Sequence, residues 1–313
     1  MESSVYEITG RAQGTTYYIK YYADQALIRK ESIDSIFRVI DNSMSLYQPT
    51  SSISKFNAIE TKALELDEHM LNVVGSSLRY NQLTKGYFDI TVFPLIQLWG
   101  FGANGIGKAP NDTQVDSVKR FVGINNISLK GKTLSKQHPN VSIDLNGIAQ
   151  GYTVDVIAAY LSKVGILSFM VEVGGEIYAK GLKSDSSNYK IEIQRPEHNR
   201  SLSHQVILQD MAITTSGNYE KYRKINGQYL SHHMNPFTGK PVMNNVLSAT
   251  VIAKTAMEAD ALDNYLMYLN PQEAITLVEE LPQVEAYIIY SENNTIKVLQ
   301  SSGFNNYIYK LQS

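Results

Sequence analysis

The chain has 313 residues, of which 43% are hydrophobic and 19% are charged, so it can bury a large core in one domain, either undivided or as two tightly packed lobes. Its 28 lysines and arginines against 30 aspartates and glutamates give a formal net charge of -2, which argues against a nucleic-acid partner because phosphate binding requires clustered positive charge. The absence of cysteine excludes thiol nucleophiles, thiolate metal sites and disulfides.

The N-terminal part of the chain combines strand and helix patterns. Alternating apolar residues over 5–22 predict two strands joined by a hairpin turn. Helical spacing of apolar residues predicts helices over 31–46 and 67–84. The Ser- and Pro-containing stretch 44–57 predicts a loop between them.

The middle of the chain has fewer regular patterns. Residues 86–102 form the most apolar stretch and contain the only tryptophan, Trp99, but Pro94, Gly100 and Gly102 exclude a long regular element there. Residues 103–135 show no clear pattern. A helix is predicted to start within 142–155 and to end near Ser162.

The C-terminal part is richer in strands. Strands are predicted at 168–180, 188–194, 204–215, 246–253, 284–290 and 295–300, and helices at 255–269 and 271–281. Because the strands come in hairpin-like groups and not in strict βαβ alternation, the sequence predicts an α+β fold with mostly antiparallel sheets and packed helices.

The stretch SIDLNGIAQGYTVD, residues 142–155, places Gly147 and Gly151 where a strand pattern becomes a helix pattern, with Asp144 before them and Asp155 after them. Glycines at such a point either let a phosphate-bearing ligand approach the first turn of a helix or form a tight turn. The residues alone leave both interpretations open. Their spacing is not G-x-G-x-x-G, so the dinucleotide fingerprint of a doubly wound fold is excluded.

A second candidate site lies on the predicted helix 255–269. Asp260 and Asn264 are one helical turn apart, between Met257 and Met267, so their oxygens could bind a hard cation. The alternative is an ordinary solvent-exposed polar face.

Two further segments carry reactive side chains. His232 lies in the turn-rich segment 229–241 and could accept a proton near neutral pH, although His233 could equally do so and either could be structural. Ser216 could be a nucleophile, but it lacks the G-x-S-x-G setting, and a capping or turn role is favoured.

Eight motifs occur in a fixed order: Gly14-Thr15-Thr16-Tyr17, MSLYQPTSSISKFN (44–57), GYFDITVFPLIQLWGFG (86–102), IDLNGIAQGYTVD (143–155), VGGEI (173–177), TSGNY (215–219), SHHMNPFTG (231–239) and AMEADAL (256–262). This order, over roughly residues 10–290, resembles the ApbE-type FAD:protein FMN transferases. The resemblance implies an ApbE-like fold formed by residues 1–313 as one flavin transferase domain. It also implies a Mg²⁺-dependent enzyme that splits FAD and transfers FMN to a Thr or Ser hydroxyl of an acceptor protein, releasing AMP.

The resemblance also implies roles for individual residues. The positions that match FAD contacts are Gln13, Tyr47, Tyr87, Phe88, Asp89, Asp144, Gln150 and Met234. The positions that match metal ligands are Gly147, through its carbonyl, Asp260 and Asn264, and His232 matches the catalytic histidine. Four positions depart from the commoner pattern of the family: Gln13 replaces Met, Gln150 replaces Lys or Glu, Asn235 replaces Asp, and Asn264 replaces Thr.

The family resemblance further suggests partners and a location. We expect acceptors with a D-x-[ST]-G-A-[ST]-type sequence, such as Rnf- and Nqr-type redox subunits, and no nucleic acid. We expect an exported protein of the periplasm or cell envelope, with membrane anchoring through a removed N-terminal lipid signal as an option. A metal-dependent FAD pyrophosphatase that gives FMN and AMP, or a non-catalytic FAD-binding protein, would share the same residues.

Overall fold

The computed structural model describes residues 4–101, 109–194, 202–218, 222–225 and 228–309. The strands are β1 (Ser4–Ala12), β2 (Thr15–Ala23), β3 (Ala63–Glu65), β4 (Ile127–Lys130), β5 (Thr133–Lys136), β6 (Ser168–Val173), β7 (Glu176–Lys180), β8 (Tyr189–Gln194), β9 (Leu202–Leu208), β10 (Met211–Gly217), β11 (Tyr222–Ile225), β12 (Gln228–Ser231), β13 (Val246–Ala253), β14 (Glu285–Glu292) and β15 (Thr295–Gln300). The α-helices are α1 (Lys30–Met44), α2 (Ser52–Asn57), α3 (Glu68–Leu83), α4 (Phe93–Leu98), α5 (Asp112–Lys119), α6 (Asn146–Lys163), α7 (Ala256–Leu266) and α8 (Pro271–Glu279).

The strands pair in the manner that the sequence predicts. Within the described ranges, all the strand pairs that form ladders are antiparallel. Together with the interspersed helices, this pairing confirms the predicted α+β class.

Several short elements differ from the sequence prediction. The stretch 44–57 is not a loop throughout, because Ser51 accepts a hydrogen bond from the N–H of Ser54 and caps α2. Residues 109–135 contain α5, β4 and β5, each too short to show a clear period. The part of that prediction at 103–108 lies outside the described residues. Residues 204–215 belong to two strands and not one, since Asp210, with φ 54°, turns the chain between them.

The contacts within the chain divide it into two units. Unit 1 comprises Met1–Phe37, Gln150–Tyr219 and Asn245–Ser313, and unit 2 comprises Arg38–Ala149 and Glu220–Asn244. The sequence prediction of one domain, either undivided or with two tightly packed lobes, stays a prediction.

Unit 1 is built on an eight-stranded sheet of order β1-β2-β6-β7-β10-β13-β14-β15. Neighbouring residues of each strand face opposite sides of the sheet, as the two-residue period requires. On β13, for example, Val251 packs with α7 and α8, whereas Ile252 packs with the pair β8–β9 on the other face. Helix α6 covers the β2–β6 part of the helical face through Val154, Ile157 and Leu161.

Unit 2 contains α2 to α5 and a three-stranded sheet of order β3-β5-β4. Two contacts, one buried and one partly buried, fix its loops. The indole N–H of Trp99 donates to the carbonyl of Gly239 at 2.8 Å, and the amide of Asn57 makes two hydrogen bonds, each of 2.8 Å, to the main chain of Ile143. None of the described helices is long and apolar enough to cross a lipid bilayer.

Candidate active site

Asp260 is the most deeply enclosed of the predicted metal ligands. Its side chain lies on α7 and is only 4% exposed. Oδ2 accepts a hydrogen bond of 2.9 Å from the N–H of Gly151 on α6, and Oδ1 accepts one of 3.1 Å from Asn264 Nδ2. The interpretation of Asp260 as part of a solvent-exposed polar face is therefore wrong.

A second carboxylate, Asp263, lies beside this group and was missed by sequence reasoning. It is 1% exposed, and its Oδ1 accepts hydrogen bonds from Ser216 Oγ at 3.0 Å and Asn264 Nδ2 at 3.2 Å. Burial and the nearby charge of Asp260 raise the pKa of Asp263 well above its usual value. The sequence signal for this contact was that Asp263 follows Asp260 by three positions, which places both acids on one face of the helix.

The start of α7 is held by another carboxylate. Asp155 on α6 accepts hydrogen bonds from the N–H groups of Ala256 and Met257 at 2.8 Å and 2.9 Å. These are donors that the first turn of a helix leaves unpaired, and an acid is favourable there. Burial nevertheless raises the pKa of Asp155 to about 6.

Gly151 permits the close approach of α7 to α6. A Cβ atom at this position would lie 2.3 Å from the carbonyl oxygen of Ala256 and 2.8 Å from Cβ of Asp260. Gly151 lies within α6, so a tight turn does not explain this glycine, and its missing side chain serves the packing of one helix on another.

Of the two predicted glutamines of unit 1, one lies on α6 and the other is bonded to it. Gln150 on this helix donates from Nε2 to the carbonyl of Val173 at 3.0 Å, and Gln13 in the β1–β2 turn donates to Thr153 Oγ1 at 3.0 Å. The other amide atom of Gln13, Oε1, is buried and has no hydrogen-bond partner among the described residues. A buried acceptor of this kind suits a donor supplied by a ligand.

Unit 2 carries the residues at the start of α6. The N–H of Asp144 donates to the carbonyl of Ile90 at 2.8 Å, and its Oδ1 accepts from the N–H of Asn146 at 2.7 Å. Burial raises the pKa of Asp144 to about 6. Gly147 has φ -81° and ψ 16°, which interrupts the regular helix.

The predicted aromatic positions of unit 2 differ in accessibility. Tyr47 is 76% exposed. Tyr87 is half-buried and packs edge-on against Phe237, with ring centroids 5.0 Å apart. Both tyrosines can therefore contact a ligand.

Phe88 and Asp89 are buried and mainly shape the same segment. The main chain of Phe88 binds the side chains of Asn81 and Thr84. Asp89 Oδ1 accepts hydrogen bonds from the N–H and the hydroxyl of Thr91, at 2.8 Å and 2.6 Å. Burial raises the pKa of Asp89.

The adjacent histidines occupy different environments. His233 is 3% exposed, with Nδ1 2.8 Å from Ser231 Oγ, whereas His232 is half-buried. Their ring centroids lie 4.1 Å apart. The burial of His233 favours a structural role for it and leaves His232 as the better candidate for a base.

The next two positions shape the turn that follows. Met234 is 1% exposed and packs with Leu95, Trp99 and Val115, so its side chain belongs to the apolar cluster beneath the turn. Asn235 Oδ1 accepts hydrogen bonds from the N–H groups of Phe237 and Thr238, at 2.9 Å and 3.0 Å, in the predicted turn.

The sequence matches the model of the ApbE family over residues 13–288. The chain belongs to the ApbE family. It is 36% identical to the FAD:protein FMN transferase of Vibrio cholerae over 97% of this chain and 92% of that protein, and 33% identical to that of Haemophilus influenzae over 97% and 91%. The structure of a flavin transferase ApbE from Vibrio cholerae matches with a TM-score of 0.88 at 34% identity, covering 97% of this chain and 99% of that chain. The apo form of Pseudomonas stutzeri flavinyl transferase ApbE matches with a TM-score of 0.89 at 29% identity, covering 98% of each.

These matches confirm the family and the fold that the motif order predicts. The structure gathers Asp260 and Asn264 in unit 1, where Gln13 also bonds to Thr153 of α6 and Gln150 bonds to Val173 of β6. The other predicted residues lie in unit 2. The described residues contain no cluster of three His, Asp or Glu side chains suited to a metal. The roles of the individual residues stay predictions.

Proposed function

We propose that this chain is a Mg²⁺-dependent FAD:protein FMN transferase. The observation that carries the proposal is its family membership over residues 13–288, together with relatives named FAD:protein FMN transferase that align over nearly the whole chain. The buried polar group on α7 supports the metal part of the proposal.

The residues on α7 have the chemistry that a hard cation requires. Asp260 is a buried carboxylate whose charge raises the pKa of the neighbouring Asp263, so a cation beside Asp260 is electrostatically favourable. The carboxylate oxygens of Asp260 accept hydrogen bonds from Gly151 and Asn264, and an oxygen that accepts such a bond can also coordinate a cation because it has two lone pairs. We assign Asp260, Asn264 and the carbonyl of Gly147 as the ligands. A bound Mg²⁺ supplies positive charge that stabilises the phosphoryl oxygens of the transition state.

The transfer itself exchanges one bond for another. The acceptor hydroxyl oxygen forms a bond to the phosphorus of the FMN half of FAD, and the bond between that phosphorus and the bridging oxygen breaks, so AMP leaves with the bridging oxygen. His232 takes the proton of the attacking hydroxyl. Asp144, Gln150 and Gln13 hold FAD, and Tyr47 and Tyr87 offer aromatic surface to its flavin.

The proposal also covers the acceptor protein and the cellular location of the enzyme. We assign acceptors with a D-x-[ST]-G-A-[ST]-type sequence, as in Rnf- and Nqr-type subunits, and a site of action in the periplasm or cell envelope with anchoring through a lipid signal. These assignments rest on the motif resemblance alone.

The test is to incubate the protein with FAD and Mg²⁺, with and without an acceptor protein that carries such a sequence. We expect the acceptor to gain the mass of FMN less one water and AMP to appear only when the acceptor is present. AMP and free FMN without an acceptor would assign an FAD pyrophosphatase instead. Intact FAD in both samples would overturn the proposal and leave an FAD-binding protein. Asp260→Asn, which keeps the side-chain size, serves as the matched inactive control.

A further inference from the structure

The amide of Asn264 is held by three oxygens. Nδ2 lies 2.9 Å from the carbonyl oxygen of Asp260, 3.1 Å from Asp260 Oδ1 and 3.2 Å from Asp263 Oδ1. The reverse orientation would place the amide oxygen against the same three acceptors, where it would be repelled. This environment therefore fixes which end of the amide faces the carboxylates.

Two of these three oxygens belong to the proposed ligand Asp260, and the third belongs to Asp263. Its Oδ1 is itself fixed by Ser216 Oγ, which donates to it at 3.0 Å from the neighbouring strand β10. Ser216, Asp263 and Asn264 thus form a short chain of hydrogen bonds that runs from the sheet to the amide. A rigid strand anchors this chain at one end.

We propose that Asp263 is a positioning residue that fixes the amide of Asn264 with its nitrogen turned inward, so that its oxygen is the atom offered to the cation. This inference rests on the proposed function, which assigns Asn264 as a Mg²⁺ ligand. Asp263 acts through Asn264 and does not bind the metal. Partners that orient a ligand in this way typically change metal affinity by about 10- to 100-fold.

The hydrogen-bonding role of Asp263 can be separated from its charge. Asp263→Asn removes the charge but keeps an oxygen in place to accept from Ser216 and Asn264, whereas Asp263→Leu removes both. We expect the Mg²⁺ dissociation constant to rise about tenfold or more in Asp263→Leu and to stay within about threefold of the original value in Asp263→Asn. The measurement is calorimetric titration of Mg²⁺, in the absence and presence of FAD.

Two further variants complete the experiment. Ser216→Ala/Asp263→Leu removes the half-buried hydroxyl that Asp263→Leu alone leaves without this acceptor, so it serves as the second variant if the single substitution fails to fold. In an Asn264→Ala background, Asp263→Leu should have no further effect on Mg²⁺ affinity, because Asp263 acts only through that amide.

The possible results distinguish the inference from the proposed function. Equal loss of affinity in Asp263→Asn and Asp263→Leu would overturn the positioning role in favour of a charge effect. Unchanged affinity in both variants, while Asp260→Asn loses Mg²⁺ binding, would overturn the inference and leave the proposed function intact. Failure of the unsubstituted protein to bind Mg²⁺ with or without FAD would overturn the metal part of the proposed function and the inference with it.

Discussion

The main-chain N–H of Gly151 donates to Oδ2 of Asp260 at 2.9 Å, so the orientation of the buried carboxylate on α7 is set by the backbone of α6. In a regular helix this N–H would be directed to the carbonyl of Gly147. The same glycine has no side chain, which leaves room for the start of α7. One residue thus positions both a helix and its candidate metal ligand.

Gly151→Ala should disturb both the packing of α7 and the position of the Asp260 carboxylate. The added Cβ would lie 2.3 Å from the carbonyl oxygen of Ala256, so α7 must shift, and we expect a loss of about 1–3 kcal/mol in the free energy of unfolding. Mg²⁺ affinity should fall as well. Urea denaturation and Mg²⁺ titration measure the two effects.

Gly75→Ala is the matched control. Gly75 lies within α3, and a Cβ atom there would meet nothing within 4 Å. Alanine favours the helix over glycine, so stability should stay the same or rise by about 0.5–1 kcal/mol. If both substitutions changed stability equally, the close packing at Gly151 would not be the cause.

Replacing His232 and replacing His233 should have different effects. His232→Ala should lower the transfer rate by about 100-fold or more, because it removes the proposed base, and should leave FAD affinity nearly unchanged. His233→Ala should instead lower stability by about 1–3 kcal/mol, since it empties a buried position and takes a partner from Ser231. Single-turnover transfer, FAD titration and urea denaturation distinguish these results. A fall in FAD affinity alone for His232→Ala would make His232 a binding residue.

Gln13→Met tests the buried acceptor in the β1–β2 turn. If Oε1 accepts a hydrogen bond from FAD, the substitution should weaken FAD binding by about fivefold. Stability without FAD should change little, because removal of an unpaired buried oxygen offsets the lost bond to Thr153. Thr153→Val removes the same bond but keeps Oε1, so it should bind FAD nearly normally. Equal FAD affinity of Gln13→Met and the unsubstituted protein would contradict the assignment.

Asp155 gives the protein a pH dependence of defined sign. Its pKa is about 6 in the folded protein against 3.8 for an ordinary aspartate, so between these values the folded chain keeps a proton that the unfolded chain has released. The contribution of Asp155 to stability is therefore largest at low pH and decreases as the pH rises from about 4 to above 6.

Comparison with Asp155→Asn isolates this contribution, since the raised pKa of Asp144 is common to both proteins. The stability of the original protein minus that of the variant should fall by an amount on the order of 2 kcal/mol across this range, after allowance for the partial exposure of Asp155. Urea denaturation at several pH values measures it. A difference that stays constant with pH would show that Asp155 titrates normally.

The elements that the sequence predicted well are those with enough residues to show a period. Helix α6 and strand β13 lie close to their predicted limits, and the latter coincides with residues 246–253. Helix α2 and strands β3 to β5 have three to six residues, too few for a period to emerge, and their caps and tertiary contacts decide them.

For the candidate site, motif order predicted the family but not the local contacts. The helical pattern indicated Asp260 and Asn264 because they are one turn apart. It could not show that Asp263 is buried beside them, because the partner of Asp263, Ser216, lies on a strand that is distant in the sequence. It also left His232 and His233 equivalent, because only the packing of the turn buries one and not the other.

The register of β2 against β6 has a consequence for how the protein acquires its structure. Tyr17 pairs with Val173, while Arg38–Ala149, most of unit 2, lies between them in the chain. During synthesis the edge of β2 that pairs with β6 therefore stays unpaired until the ribosome has released more than half of the chain. We expect this interval to be the stage at which the nascent protein most needs a chaperone.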